Sequence, residues 1–138
     1  MSVVSGGCLC GAIKYVGTAP AVMAVMCHCT NCQRQSGSAF SINVGVPKGS
    51  IRFTTGKPAT YEDKGESGKP VYRHFCAKCG SPIFSDVTGS PRLDWLKAGT
   101  LDDSSWVKPA VSVWCRSAQS WVAHPDGVPK FSQNPPIE

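Results

Sequence analysis

Seven of the eight cysteines fall into three short groups: Cys8-Leu-Cys10, Cys27-His-Cys29-Thr-Asn-Cys32 and Cys76-Ala-Lys-Cys79. In extended chain, residues i and i+2 project to the same side, so Cys8 and Cys10 are able to grip one ion together. A C-x-x-C turn such as Cys76–Cys79 places two sulfurs within reach of one metal, and Gly80 permits the tight turn after it. Two such half-sites complete a tetrahedral four-thiolate zinc site, which is closed and therefore structural. The half-sites are far apart in sequence, so the ion would staple the amino-terminal region to the middle of the chain. Four reduced core cysteines are the plainer reading, and the spacing argues against it.

Cys27, Cys29 and Cys32 are different: three thiolates from six residues, which leave a zinc ion one ligand short. An open position separates catalytic from structural zinc sites. In a sulfur-rich site that position favours a thiol, taken up as thiolate. The competing reading is a second structural zinc whose fourth ligand is Cys115, His28, His74 or an acidic residue.

The remaining candidates carry less chemistry. Cys115 shares an apolar face with Val111 and Val113, which reads as a buried, inert thiol. His28 lies between two ligands and should point away from their metal, for a supporting or surface role. His74 shares a face with Cys76, where it would hydrogen-bond a thiolate or sit as a satisfied core histidine. His124 precedes a Pro-Asp-Gly turn and reads as exposed. Trp95, Trp106, Trp114 and Trp121 read as core and lid aromatics. No Ser-His-Asp order, phosphate loop or dinucleotide glycine motif accompanies them.

The elements that must position these groups are short. The chain has 138 residues, enough for one domain over 1–138, with 41% hydrophobic and 17% charged residues, ordinary for a globular protein. The 14 glycines and 11 prolines recur along its length, which suits short strands and many turns: an all-β fold with one or two helical turns. The first residues lack a basic start followed by an apolar run, so a cytoplasmic protein is expected, where thiols stay reduced and disulfides are rare. No apolar stretch approaches the ~18 residues of a spanning helix. The formal charge is +5, and seven thiolates with two zinc ions would lower it to about +2. The basic residues are scattered, without the run or stripe a nucleic-acid partner would call for.

Strands are expected at Ala12–Val16, Ala21–Met26 (delivering Cys27), Phe40–Val46, Ile51–Thr55, Val71–Phe75, Pro82–Val87, Arg92–Ala98 and Ala110–Arg116. Phe40, Ile42, Val44 and Val46 alternate as in a half-buried strand. Cys29–Gln35 reads as a single helical turn ending at Ser36-Gly37. Glu62–Lys69 reads as an exposed hairpin tip and Gly99–Asp103 as a turn. From Pro125 the chain reads as an extended wrap.

The order Gly7-Cys8-Leu-Cys10-Gly11, Cys27-His-Cys-Thr-Asn-Cys32-Gln-Arg34 with Ser36-Gly37-Ser38, then Phe75-Cys76-Ala-Lys-Cys79-Gly80-Ser81 resembles the glutathione-dependent formaldehyde-activating (GFA) family, which also includes the centromere protein V domain. Ala98-Gly-Thr-Leu-Asp-Asp103 and Trp121 resemble it too, so the likeness spans about residues 6–131. It implies a zinc-stapled β-tent of antiparallel strands with two zinc ions per chain: a structural one at Cys8, Cys10, Cys76 and Cys79, and a catalytic one at Cys27, Cys29 and Cys32. It further implies a carbon–sulfur lyase that joins glutathione, as co-substrate, to formaldehyde, giving S-hydroxymethylglutathione. The zinc-held sulfur would be the nucleophile, with Arg34 and Arg52 pairing the glutathione carboxylates. The alternative carried by the same resemblance is a non-enzymatic module that binds a protein or nucleic-acid partner.

Overall fold

The computed structural model describes residues 3–135, so Met1, Ser2 and the end of the expected tail, Pro136, Ile137 and Glu138, lie outside the described residues. The fold is all-β, as expected, with one short helix. The elements are β1 (Val3–Gly7), β2 (Lys14–Pro20), β3 (Met23–Cys27), α1 (Thr30–Ser36), β4 (Ser41–Pro47), β5 (Ile51–Thr55), β6 (Ala59–Lys64), β7 (Pro70–Phe75), β8 (Pro82–Val87), β9 (Leu93–Lys97) and β10 (Val111–Val113). They form a three-stranded sheet, β1-β2-β5, and a seven-stranded sheet, β10-β3-β4-β9-β8-β7-β6.

The core lies between the sheets. Val4, Ile13 and Tyr15 from the small-sheet side meet Val44, Val46, Ile83 and Leu96 from the large one. Each fully buried aliphatic side chain contributes about 1.5–3 kcal/mol over its exposed state. β4 runs through the middle, paired with β3 on one side and β9 on the other. Its Ile42, Val44 and Val46 face this core, but Ser41 and Asn43 on the opposite face are buried as well. The strand expected to be half-buried is therefore covered on both faces, because α1 and the side chains of β7 and β9 close over its polar side.

Three further differences have physical causes. The strands are antiparallel except at one edge: β10 pairs with β3 in parallel, Val111 opposite Val25 and Val113 opposite Cys27. A long crossover from β9 brings it in with that direction. The strand expected to run through Arg116 stops at Val113, because Trp114 takes a left-handed conformation (φ 57°) and turns the chain into a short 3-10 segment at Cys115–Ser117. Cys115 thus leaves the strand face on which it was expected. The polar stretch before the Gly65–Lys69 turn is itself a strand, β6, register-paired with β7 from Ala59 opposite Phe75 to Lys64 opposite Pro70.

The carboxyl-terminal segment, with a turn at Asp126-Gly127 and bends at 132–134, has no helix among the described residues. It lies along β10, where the Ser112 N–H donates to Pro129 O at 2.8 Å and the Phe131 N–H to Ser112 O at 2.9 Å. Trp95 packs over Gly45, its cross-strand partner, whereas Trp121 is 74% exposed rather than a lid. No helix among the described residues is long and apolar enough to cross a membrane.

Gly6 of β1 pairs with Tyr15 and bridges to Leu101, and it is tightly enclosed there. A Cβ there would sit 2.1 Å from Thr100 O and 2.5 Å from the Tyr15 hydroxyl oxygen, which itself bonds Thr100 Oγ1 at 2.7 Å. Gly6→Ala is expected to lower unfolding free energy by about 1–3 kcal/mol in urea titration, as overpacking does. Gly99→Ala, where nothing lies within 4 Å of the added carbon, should leave the midpoint nearly unchanged.

Candidate metal centres and active site

The first cysteine group forms where two turns meet. Cys8 and Cys10 lie in the turn after β1, and Cys76 and Cys79 in the turn joining β7 to β8. Their four sulfurs all lie within 4.8 Å of one another, with Cys8–Cys10 at 3.7 Å and Cys10–Cys76 at 3.8 Å. Sulfurs at ~2.3 Å from a tetrahedral zinc are ~3.8 Å apart, so this donor set fits the ion in both chemistry and size.

Local hydrogen bonds hold the ligands in place. Ile13 N–H donates to Cys8 Sγ at 3.2 Å. Gly80 takes φ 80° and sends its N–H to Cys76 O at 2.8 Å, the tight turn for which the glycine is required. Ser81 Oγ lies 3.2 Å from Cys79 Sγ and accepts the Leu9 N–H at 3.0 Å, so one hydroxyl links the two half-sites. The bond from Ser81 leads the effects that bring the Cys79 thiol down to about 5.

The second group sits at the junction of β3 and α1. Cys27 ends β3, Cys29 caps α1 by accepting the Cys32 N–H at 3.2 Å, and Cys32 is the buried residue of that helix. The helix runs for two turns rather than one and ends at Gly37, whose φ of 67° and N–H bond to Gln33 O close it. Gln33 Nε2 ties its start to the chain on either side, donating to His28 O at 2.8 Å and to Ser117 O at 3.0 Å. Cys27, Cys29 and Cys32 offer three sulfurs within 4.8 Å of one another, a soft donor set that fits zinc. Two of the three are buried.

Two cations that sequence reasoning missed converge on this group. Arg73 on β7 is buried, pairs Nε with Asp63 Oδ2 at 2.9 Å and gives Nη1 to Gln35 Oε1 at 2.9 Å. Its guanidinium also interacts electrostatically with Cys32. Lys97 on β9 is buried, its Nζ donating to Ser41 Oγ at 3.0 Å and Asn43 Oδ1 at 3.1 Å. Hydrogen bonds from Cys27 and then Cys29 pull the Cys32 thiol far below its ordinary range against the effect of burial, with Lys97 and Arg73 adding to them. Burial pushes the Lys97 ammonium down, and the Cys32 charge opposes it. The available signal was a cation at an inward strand position: Arg73 shares a face with the buried Val71.

The residues weighed as a fourth ligand do not join the three sulfurs. His74 Nδ1 bonds Thr60 Oγ1 at 2.9 Å and its ring stacks on Phe84 at 4.2 Å, the satisfied core histidine of the two readings. Asp63, the carboxylate that pairs Arg73, also accepts from Asn31. His28 is fully buried rather than at the surface, and groups with Cys115 and a half-buried His124. Among the described residues, no fourth His, Cys, Asp or Glu joins Cys27, Cys29 and Cys32.

A cleft of about 570 Å³ is lined by Ser36, Phe40, Ser41, Lys97, Thr100 and Ser81 among others, with none of the three cysteines in its wall. Lys97 belongs both to its wall and to the surroundings of the sulfurs. Arg34 is exposed on α1 and Arg52 is exposed on β5, in the other sheet. A smaller cavity of about 320 Å³ lies against β1 and β2, lined by Gly6, Cys8, Tyr15 and Asp102, away from the three-cysteine centre.

Comparison with known proteins agrees with the cysteine arrangement. The family model described as "Glutathione-dependent formaldehyde-activating enzyme" matches residues 3–117. Proteins of Aspergillus flavus and Aspergillus oryzae, each named "Putative glutathione-dependent formaldehyde-activating enzyme", are 26% identical over 108 residues, covering 74% of this chain and 54% of theirs. A Penicillium rubens protein of the same name is 26% identical over 102 residues, covering 72% of this chain and 52% of its own. The chain therefore spans about half the length of the curated relatives it matches. A crystal structure of a Rhodobacter sphaeroides protein shares the fold with TM-score 0.58 at 20% identity, covering 76% of this chain and 91% of that one. With the family model matching most of its length, the chain belongs to the glutathione-dependent formaldehyde-activating (GFA) family.

Proposed function

We propose that this chain is a zinc-dependent, cytoplasmic enzyme of carbon–sulfur lyase type, which joins the sulfur of glutathione to formaldehyde. The observation that carries this reading is the incomplete donor set: Cys27, Cys29 and Cys32 come together without a fourth protein ligand among the described residues. Cys8, Cys10, Cys76 and Cys79 hold the structural zinc, and the second ion belongs to the three-cysteine centre. Zinc held there supplies a Lewis acid that keeps an incoming thiol deprotonated at neutral pH.

The residues around the centre carry the rest of the chemistry. Lys97 and the Arg73–Asp63 pair bring one net positive charge to a cluster that gains negative charge as the substrate thiol loses its proton. Ser41 and Asn43 hold the Lys97 ammonium in place, so its field is preorganised. The cleft gives the tripeptide a wall lined by Ser36, Phe40 and Ser81, and its volume suits a ligand of that size. Arg34, exposed at the end of α1, is the weaker candidate contact for a glutathione carboxylate. In the reaction a carbon–sulfur bond forms between the glutathione sulfur and the formaldehyde carbon. The carbonyl π pair moves to oxygen, and the proton given up by the thiol ends there as a hydroxyl. Lys97 Nζ is the buried donor placed to favour charge on that oxygen.

Exchange-transfer nuclear magnetic resonance on mixtures of glutathione and formaldehyde should show faster formation of S-hydroxymethylglutathione than in buffer. An unchanged rate with the zinc-loaded protein would overturn the formaldehyde reading. Cys32→Ser is expected to abolish that gain while leaving the circular dichroism spectrum and the structural zinc unchanged. Lys97→Met should reduce turnover by about 10²-fold, the scale of losing one preorganised charge stabiliser. Its thermal stability should fall, since removing one partner of a buried charge cluster leaves the Cys32 sulfur, Ser41 and Asn43 uncompensated. A chelator strong enough to strip zinc should lower the urea midpoint through the first group, and Cys10→Ser should do the same without chelator.

A further inference from the structure

We propose that His28, Cys115 and His124 form a third metal site, for zinc, on the opposite side of the β3–α1 junction from the three-cysteine centre. One ligand atom from each lies within 4.8 Å of the others. Three separate segments bring them there. His28 falls between Cys27 and Cys29, so chain alternation turns its ring away from their sulfurs, and its N–H is held by Val113 O at 3.0 Å. Cys115 arrives because Trp114 turns left-handed and ends β10, with the Cys115 N–H bonded to Phe131 O at 2.9 Å. His124 comes from the loop that precedes the carboxyl-terminal wrap.

The imidazoles are otherwise unexplained. His28 has no exposed surface, and neither its Nδ1 nor its Nε2 has a hydrogen-bond partner; the buried Nδ1 of His124 has none either. Buried ring nitrogens are normally paired, and each such exception calls for a partner. The rings stand 4.8 Å apart and are tilted by 41°, so they are not stacked face to face. A zinc ion would take one nitrogen from each ring and the Cys115 thiolate, a His₂Cys set within its ordinary ligand chemistry. This site is independent of the formaldehyde reading, because it uses none of the residues assigned to that reaction.

The site has its own spectroscopic signature, since the other two groups are all cysteine and the only remaining histidine, His74, is bonded to Thr60. Tag-free protein, reconstituted anaerobically with excess zinc and desalted, should retain about three ions per chain. Its zinc X-ray absorption should show imidazole scattering beside sulfur. His124→Ala and Cys115→Ser, both at partly exposed positions, should each retain about two ions and lose most of the imidazole signal. Those two remaining ions report that each variant still folds. Two ions with a sulfur-only shell in the wild type would overturn the proposal, and that reading needs no variant. So would an imidazole signal that survives both substitutions, which would make a histidine a ligand of the three-cysteine centre instead.

Discussion

The whole architecture hangs on four sulfurs meeting at one point. Cys8 and Cys10 belong to the turn after β1 of the small sheet, Cys76 and Cys79 to a turn of the large one, and Cys10 Sγ lies 3.7 Å from Cys8 Sγ and 3.8 Å from Cys76 Sγ. Four thiols at such distances make poor mutual hydrogen bonds, and four thiolates repel, so a cation at their centre relieves both conditions at once. The position of that point sets how the sheets lie on each other. Around it, Gly6 admits Thr100 and the Tyr15 hydroxyl, and the apolar faces of β2, β4, β8 and β9 close into one core.

That meeting point reaches the three-cysteine centre through β7 and β8. The turn bearing Cys76 and Cys79 joins these strands, so anchoring it also anchors the register that carries Arg73 towards Cys32. β9, paired to both β8 and β4, places Lys97 opposite Asn43. A buried ammonium without a carboxylate partner is costly unless an anion lies near. Here the neighbouring negative charge is that favoured on the Cys32 sulfur, and the cations in turn help to favour it. Neither half is well placed alone, and this mutual dependence is the physical basis of the proposal that assigns the reaction to this junction.

Much of this arrangement was legible in the residue order. The two half-sites, the three-cysteine group, the glycine turn at Gly80 and most of the strands follow from short-range rules of side-chain direction and turn geometry. The misreadings share a cause. β6 is too polar to announce itself and is stabilised by its pairing with β7. β4 alternates as a half-exposed strand would, yet its polar face is buried because Ser41 and Asn43 serve Lys97. Cys115 follows an apolar strand pattern that one left-handed residue, Trp114, interrupts.

The sequence by itself determined which sulfurs act together, because ligands two or three residues apart are brought together by local backbone geometry. It determined the all-β character for the same reason, since alternation and turn residues act over a few positions. Only the tertiary structure decided what surrounds those sulfurs. Arg73 and Lys97 lie 41 and 65 positions beyond Cys32 and reach it through strand pairing. Tertiary packing likewise left the three-cysteine group without a fourth protein ligand among the described residues and gathered His28, Cys115 and His124 into a group of their own. Such encounters depend on sheet order and register, which no local pattern encodes.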